Sequence, residues 1–201
     1  MSGEVVKSFA TPCGFPFGLT FDGKYLWHCD YVTNLIYQLD LDGTVIKSFA
    51  SPGSGPVGLA FDGKYLWHCD SGTDLIYQLD LDGKVIKSFA TPGSIPRGLA
   101  FDGKYLWHCD YITDLIYQLD LDGTVIKSFA SPGGSPFGLA FDGKYLWHCD
   151  YVTDLIYQLD LDGKVIKSFA SPGNVPYGLA FDGKYLWHCD YVTDLIYQIG
   201  R

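Results

Sequence analysis

One unit of forty residues is written five times along this chain. The segment Gly18-Leu19-Thr20-Phe21-Asp22-Gly23-Lys24-Tyr25-Leu26-Trp27-His28-Cys29-Asp30 returns almost letter for letter from Gly58, Gly98, Gly138 and Gly178. Self-similarity at a fixed period outranks local propensity, and a period of about forty residues is that of a β-propeller blade, a four-stranded antiparallel sheet. The chain is therefore predicted to be an all-β, five-bladed propeller.

Turn signals divide the unit into four strands. Gly58 to Phe61 reads as a short inner strand A, and Asp62-Gly63 as the tight hairpin that follows it. Tyr65 to Asp70 reads as strand B, Leu75 to Asp80 as strand C, and Val85 to Ala90 as the outer strand D. The loop Thr91-Pro92-Gly93-Ser94-Ile95-Pro96 leads to the next inner strand, and no helical period occurs. At the ends, Val5-Val6-Lys7-Ser8-Phe9-Ala10 matches strand D, whereas Leu195-Ile196-Tyr197-Gln198-Ile199 matches strand C. Residues 1–12 are thus expected to supply the outer strand of the last blade, making 1–201 one closed ring.

At 201 residues and 47% hydrophobic content the chain suits one buried domain, and its apolar runs are far shorter than a membrane-spanning helix requires. A net charge of −9, with lysines dispersed among the units, gives no footprint for nucleic acid or an anionic membrane. The first residues lack the pattern of a secretory signal, so a cytoplasmic, monomeric protein is expected.

The pattern Pro56-x-Gly58-Leu59-Ala60-Phe61-Asp62-Gly63-Lys64-Tyr65-Leu66-Trp67-x-x-Asp70, with the later Asp82-Gly83-Lys84-Val85, resembles bacterial propeller repeats. These are of the NHL, glutamine-cyclotransferase-like and virginiamycin-lyase-like types. The resemblance spans essentially the whole chain and implies architecture rather than activity. It implies a catalytic glutamate in the cyclotransferases and a His-Glu metal constellation in the lyases. Glu4, in a terminal turn, is the sole glutamate here, so no catalytic residue carries over. The near-identity of the units also resembles a recently amplified or engineered symmetric propeller.

His28, Cys29 and Asp30 recur as His68-Cys69-Asp70, His108-Cys109-Asp110, His148-Cys149-Asp150 and His188-Cys189-Asp190, residue types that bind metals. Strand alternation sets His28 and Asp30 on one face and Cys29 on the other, so one strand cannot offer all three to one ion. The structural reading has His hydrogen-bonded between blades, Cys as a small apolar filler, and Asp accepting backbone donors. A His28 and Asp30 metal or general-base pair is the alternative, and no cofactor is expected. The strand-B thiols lie too far apart for disulfides, which suits a reducing compartment. Cys13, where other units carry glycine, is the one candidate for an accessible thiol. Asp40-Leu41-Asp42-Gly43 resembles part of a calcium loop but lacks its remaining ligands, and reads as a turn.

The units disagree mainly in the D-to-A and B-to-C loops, which emerge on one face of an up-and-down blade. The position just before strand A reads Phe17, Val57, Arg97, Phe137 and Tyr177, expected to ring a concave channel mouth. Tyr111 opens one B-to-C loop, and Ser71-Gly72 replaces the corresponding tyrosine in another. Arg97 with these aromatic residues suits a small anionic or sugar-like ligand, or a protein. The leading expectation is a non-enzymatic binding or scaffold propeller. The alternatives are a hydrolase, lyase or cyclotransferase-like enzyme at the same mouth, and a symmetric protein without a selected ligand.

Overall fold

The chain folds where its turns direct it. At the A-to-B hairpin, Asp22 Oδ1 accepts the backbone N–H groups of Lys24 and Tyr25 at 2.9 and 2.7 Å. Gly23 adopts a φ of 96°, the left-handed region that suits glycine. The other oxygen of Asp22 accepts the Trp27 indole N–H at 2.7 Å, so one carboxylate fixes both the turn and the largest core side chain. At the end of the B-to-C loop, Asn34, Asp74, Asp114, Asp154 and Asp194 take φ of 53–54°, a conformation that Asn and Asp tolerate best among residues with side chains.

The computed structural model describes residues 3–200. After β1 (Val5–Ala10), the first blade contains β2 (Pro16–Phe21), β3 (Leu26–Asp30), β4 (Leu35–Leu39) and β5 (Val45–Ala50). The quartet repeats, ending with β18 (Pro176–Phe181), β19 (Leu186–Asp190) and β20 (Leu195–Ile199). Five four-stranded antiparallel sheets result, and the last has the order β1-β20-β19-β18. Ser8 lies opposite Tyr197 and Ala10 opposite Leu195, so the N-terminal strand closes the ring as the sequence predicts.

The strand bounds differ in detail. Strand A starts earlier than the turn signals suggest, at Pro56, which pairs with Asp70 before a register shift; proline is tolerated as the first residue of a strand. Strand B starts at Leu66 and strand C ends at Leu79, because Tyr65 and Asp80 are held in turns through Asp62 N–H to Tyr65 O and Asp80 N–H to Lys84 O.

The core lies between blades. Leu26, Trp27, Ile36 and Leu39 are fully buried, each such side chain contributing about 1.5–3 kcal/mol. Phe49 packs against Trp27 at 6.0 Å between ring centroids. Lys47 lies over the same indole and reaches the next blade, donating to Leu81 O at 2.6 Å and Asp82 at 2.7 Å. Asp82 is largely exposed, so this ion pair adds at most about 1 kcal/mol.

At the ring joint the C-to-D turn is split between the chain ends. Gly3 N–H donates to Gly200 O at 3.0 Å and Gly200 N–H to Glu4 O at 2.9 Å. These match Gly43 N–H to Asp40 O and Asp40 N–H to Thr44 O in a continuous turn. Around the axis, inner strands touch through glycine: a Cβ on Gly138 would stand 2.6 Å from Tyr177 O and 3.0 Å from Leu179 N. Below this waist lies a chamber of about 90 Å³, lined in part by Phe21, Phe61 and Phe101. At the waist itself the void is about 10 Å³, room for one water.

Candidate functional site

The waist is capped by side chains from the first residues of the inner strands. Phe137 stacks on Tyr177 at 4.5 Å with planes 4° apart, and Phe17 lies 4.4 Å from Tyr177. Phe17, Val57 and Phe137 are buried. The concave mouth expected from the sequence is therefore closed by its own rings, which stack across the axis instead of standing open. The loop tyrosines form a second tier: Tyr31 contacts Phe17 at 5.4 Å, Tyr151 contacts Phe137 at 5.4 Å, and Tyr191 contacts Tyr177 at 5.3 Å. Of this tier the sequence placed only Tyr111 among the candidate ligand residues, although recurrence of tyrosine at the start of the B-to-C loop was the available signal.

Arg97 enters this aromatic cap from the third blade. Its guanidinium carbon is 4.9 Å from the Phe137 centroid, 5.6 Å from Tyr111 and 5.7 Å from Phe17. Nε is buried with no hydrogen-bond partner among the described residues, and none of the described ion pairs includes Arg97. Burial pushes its pKa down, opposed by Tyr177 and by Cys109, and an arginine remains charged all the same. Tyr177 is pushed up to about 12 by burial, reinforced by Tyr151. The cap thus combines neutral rings with one cation.

Val57 is buried in the second blade and lines the waist. Ser71 does not join the rings; its hydroxyl donates to Gly55 O at 3.2 Å, pinning the B-to-C loop to the D-to-A loop. The notch suggested by Ser71-Gly72 is accordingly floored by backbone.

The His-Cys-Asp copies anchor this face. Asp30 Oδ2 accepts the Phe15 N–H of the D-to-A loop at 2.9 Å, while Oδ1 accepts Val32 N–H, Thr33 N–H and the Thr33 hydroxyl at 3.1, 2.8 and 2.8 Å. Asp110, Asp150 and Asp190 accept Ile95, Ser135 and Val175 N–H alike, each at 2.7 Å. The cysteines do more than fill space. Cys109 Sγ accepts Gly98 N–H at 3.1 Å and donates to Phe137 O of the next blade at 3.0 Å, and Cys189 donates to Phe17 O across the ring joint at 3.0 Å. Burial pushes the Cys109 thiol up to about 12, and those of Cys29, Cys69, Cys149 and Cys189 well up, so they stay protonated.

The imidazoles divide by one upstream residue. Ser51, Ser131 and Ser171 hydroxyls lie 3.0, 3.0 and 2.9 Å from Nε2 of His68, His148 and His188. In the other two blades Thr11 and Thr91 stand there and donate their hydroxyls to Cys13 O and Gly93 O of their own loops, at 2.5 and 2.6 Å. Nε2 of His28 and of His108 is left buried without a partner among the described residues. Burial lowers His28, His108, His148 and His188 to about 4, against the opposing effect of the neighbouring aspartates. No three His, Cys, Asp or Glu side chains assemble a metal-ligand set among the described residues. Cys13 is half-buried, 3.2 Å from the Tyr37 hydroxyl. Asp40 Oδ1 caps its own turn through Asp42 and Thr44 N–H. Glu4 lies at the outer rim beside β1, away from the cap.

No protein-family model and no curated protein matches the sequence. Solved structures share the fold. The glutaminyl cyclase of Myxococcus xanthus superposes with a TM-score of 0.84 at 14% identity, covering 98% of this chain and 94% of that one. Virginiamycin B lyase from Staphylococcus aureus gives 0.59 at 20% identity, with 96% and 68% covered. A chain of a nidogen/laminin complex gives 0.66 at 27% identity, with 89% and 73% covered. The chain is a five-bladed propeller with the fold of glutaminyl cyclase-like and lyase-like propellers, a fold that serves enzymes and binding proteins alike.

Proposed function

We propose that this chain is a non-enzymatic binding protein that seats an anionic group on Arg97 at the aromatic end of its channel. The observation that carries this reading is a half-buried guanidinium among three rings, with no carboxylate against it among the described residues. A ring face attracts a desolvated cation by about 0.5–2 kcal/mol, yet a charge withdrawn from water is ordinarily balanced by an opposite charge. A carboxylate or phosphate from solvent supplies that balance through the terminal guanidinium nitrogens. Acid–base catalysis asks for an accessible group that changes protonation near neutrality. The histidines and aspartates beneath the cap are buried away from solvent, and the aspartates are engaged with backbone donors of the loops, which favours binding over turnover. The free thiols suit a reducing compartment.

Nuclear magnetic resonance titration of the labelled protein with benzoate and with inorganic phosphate tests this. At least one anion is expected to shift the Arg97 and Phe137 amides to saturation. Arg97→Met should weaken that binding tenfold or more, about 1.4 kcal/mol. Spectra unchanged by both anions sink the reading.

A further inference from the structure

Four aliphatic side chains stand out on the face that carries Arg97. Val32, Ile112, Val152 and Val192 are 61, 58, 65 and 58% exposed, each following the tyrosine that opens its B-to-C loop. Gly72 occupies this place in the second blade and Ser71 replaces the tyrosine, so the apolar collar has one gap. The gap adjoins the blade of Arg97. The opposite face carries the Asp22-Gly23-Lys24 hairpins and their copies, so the ring has one charged end and one largely apolar end. Outside the collar, Asp74 and Asp114 are exposed beside the gap, whereas Asn34, Asp154 and Asp194 are half-buried. A traveller across the gap therefore meets an acidic rim, a break in the collar flanked by Val32 and Ile112, and then a central cation.

This order of charges discriminates among occupants. A second copy docked collar to collar would bring two Arg97 guanidinium groups together near a shared axis, which like-charge repulsion opposes. An anionic membrane is opposed by a net charge of −9 and by the acidic rim. An extended peptide matches: a basic residue at the rim, aliphatic residues on the tips and a carboxylate at the centre. Apolar contact then supplies area, and the buried charged pair at the middle supplies register.

We infer that this face docks a protein segment, lying across the Ser71-Gly72 gap with aliphatic side chains on Val32 and Ile112, a basic residue on Asp74 and a carboxylate on Arg97. The inference rests on the anion-seating role proposed for Arg97, and identifies the anion as part of a peptide.

A displayed library of random peptides of roughly a dozen residues, panned on the intact protein, tests it alongside a benzoate titration. Enriched peptides are expected to carry an acid flanked by aliphatic residues and a nearby Lys or Arg, and to be displaced by benzoate. Their affinity should fall tenfold or more on Arg97→Met, on Val32→Ser with Ile112→Ser, and on Ser71→Tyr with Gly72→Val. The last pair installs what other blades already carry; a Cβ on Gly72 would stand 2.6 Å from Ser54 Oγ, the end of a side chain that can turn away, and the third blade already combines Ser94 with Ile112, so benzoate should still bind. Peptides that lack an acid, or that ignore the collar and gap variants, overturn the docking inference. If benzoate or phosphate binds and no peptide is enriched, the docking inference fails alone; if neither anion nor any peptide binds, both readings fail.

Discussion

Lowering the pH should unfold this propeller well before its carboxylates titrate. His28, His108, His148 and His188 are fully buried, and burial holds each near pKa 4 against the ordinary 6.5. A depressed pKa gives stability that is complete above the unfolded value and is lost as pH falls toward the folded one, since only the unfolded chain takes up protons in that window. Near pH 6 the loss is about 1 kcal/mol per histidine, and near pH 5 it is about 2 kcal/mol. Four such residues remove about 8 kcal/mol near pH 5, comparable with the whole stability of a typical domain, about 5–15 kcal/mol. The assay is a denaturant midpoint measured at intervals from about pH 8 to pH 5. It should be level above about pH 7, fall steeply below about pH 6, and vanish near pH 5. A midpoint unchanged between pH 7 and pH 5 refutes the claim that these imidazoles are held neutral by burial.

Thr91→Ser should offer His108 the hydroxyl that Ser51 places on His68, raising stability by about 0.5–1.5 kcal/mol; an unchanged or lower denaturant midpoint counts against that account. Gly138→Ala should cost about 3 kcal/mol or more, because its Cβ meets the backbone of the next blade. Gly143→Ala, with open space but a φ of 91°, should cost only about 1–2 kcal/mol by the same measurement. A circular permutant that joins Gly200 to Gly3 through two residues and opens the turn between Asp82 and Gly83 should fold with a melting temperature close to that of the parent. A chain lacking residues 1–10 should lose its cooperative transition, since nothing then covers β20.

The ring was legible because the information for it is periodic. Forty-residue spacing set the blade, and the unmatched strands Val5–Ala10 and Leu195–Ile199 set the closure. Asp30 was legible as a loop anchor, since a buried carboxylate at a strand end seeks N–H donors. The thiol of Cys109 was not. Its hydrogen bond to Phe137 O depends on how closely adjacent inner strands approach, a distance set by Gly98 and Gly138 that no residue pattern states. The closed cap was missed for a related reason. Phe17, Phe137 and Tyr177 are far apart in sequence, and only the narrowness of a five-membered ring brings their rings into contact. Serine and threonine at positions 11, 51, 91, 131 and 171 differ by one methyl group, yet that difference decides whether a buried imidazole Nε2 has a partner.

Crystals grown with 4-bromobenzoate test the central claim most directly, because bromine reports its own position by anomalous scattering. The account predicts one strong bromine peak over the aromatic cap, with the carboxylate on the terminal nitrogens of Arg97, and no such peak in Arg97→Met. Bromine found elsewhere, or an equal peak in the variant, would contradict it.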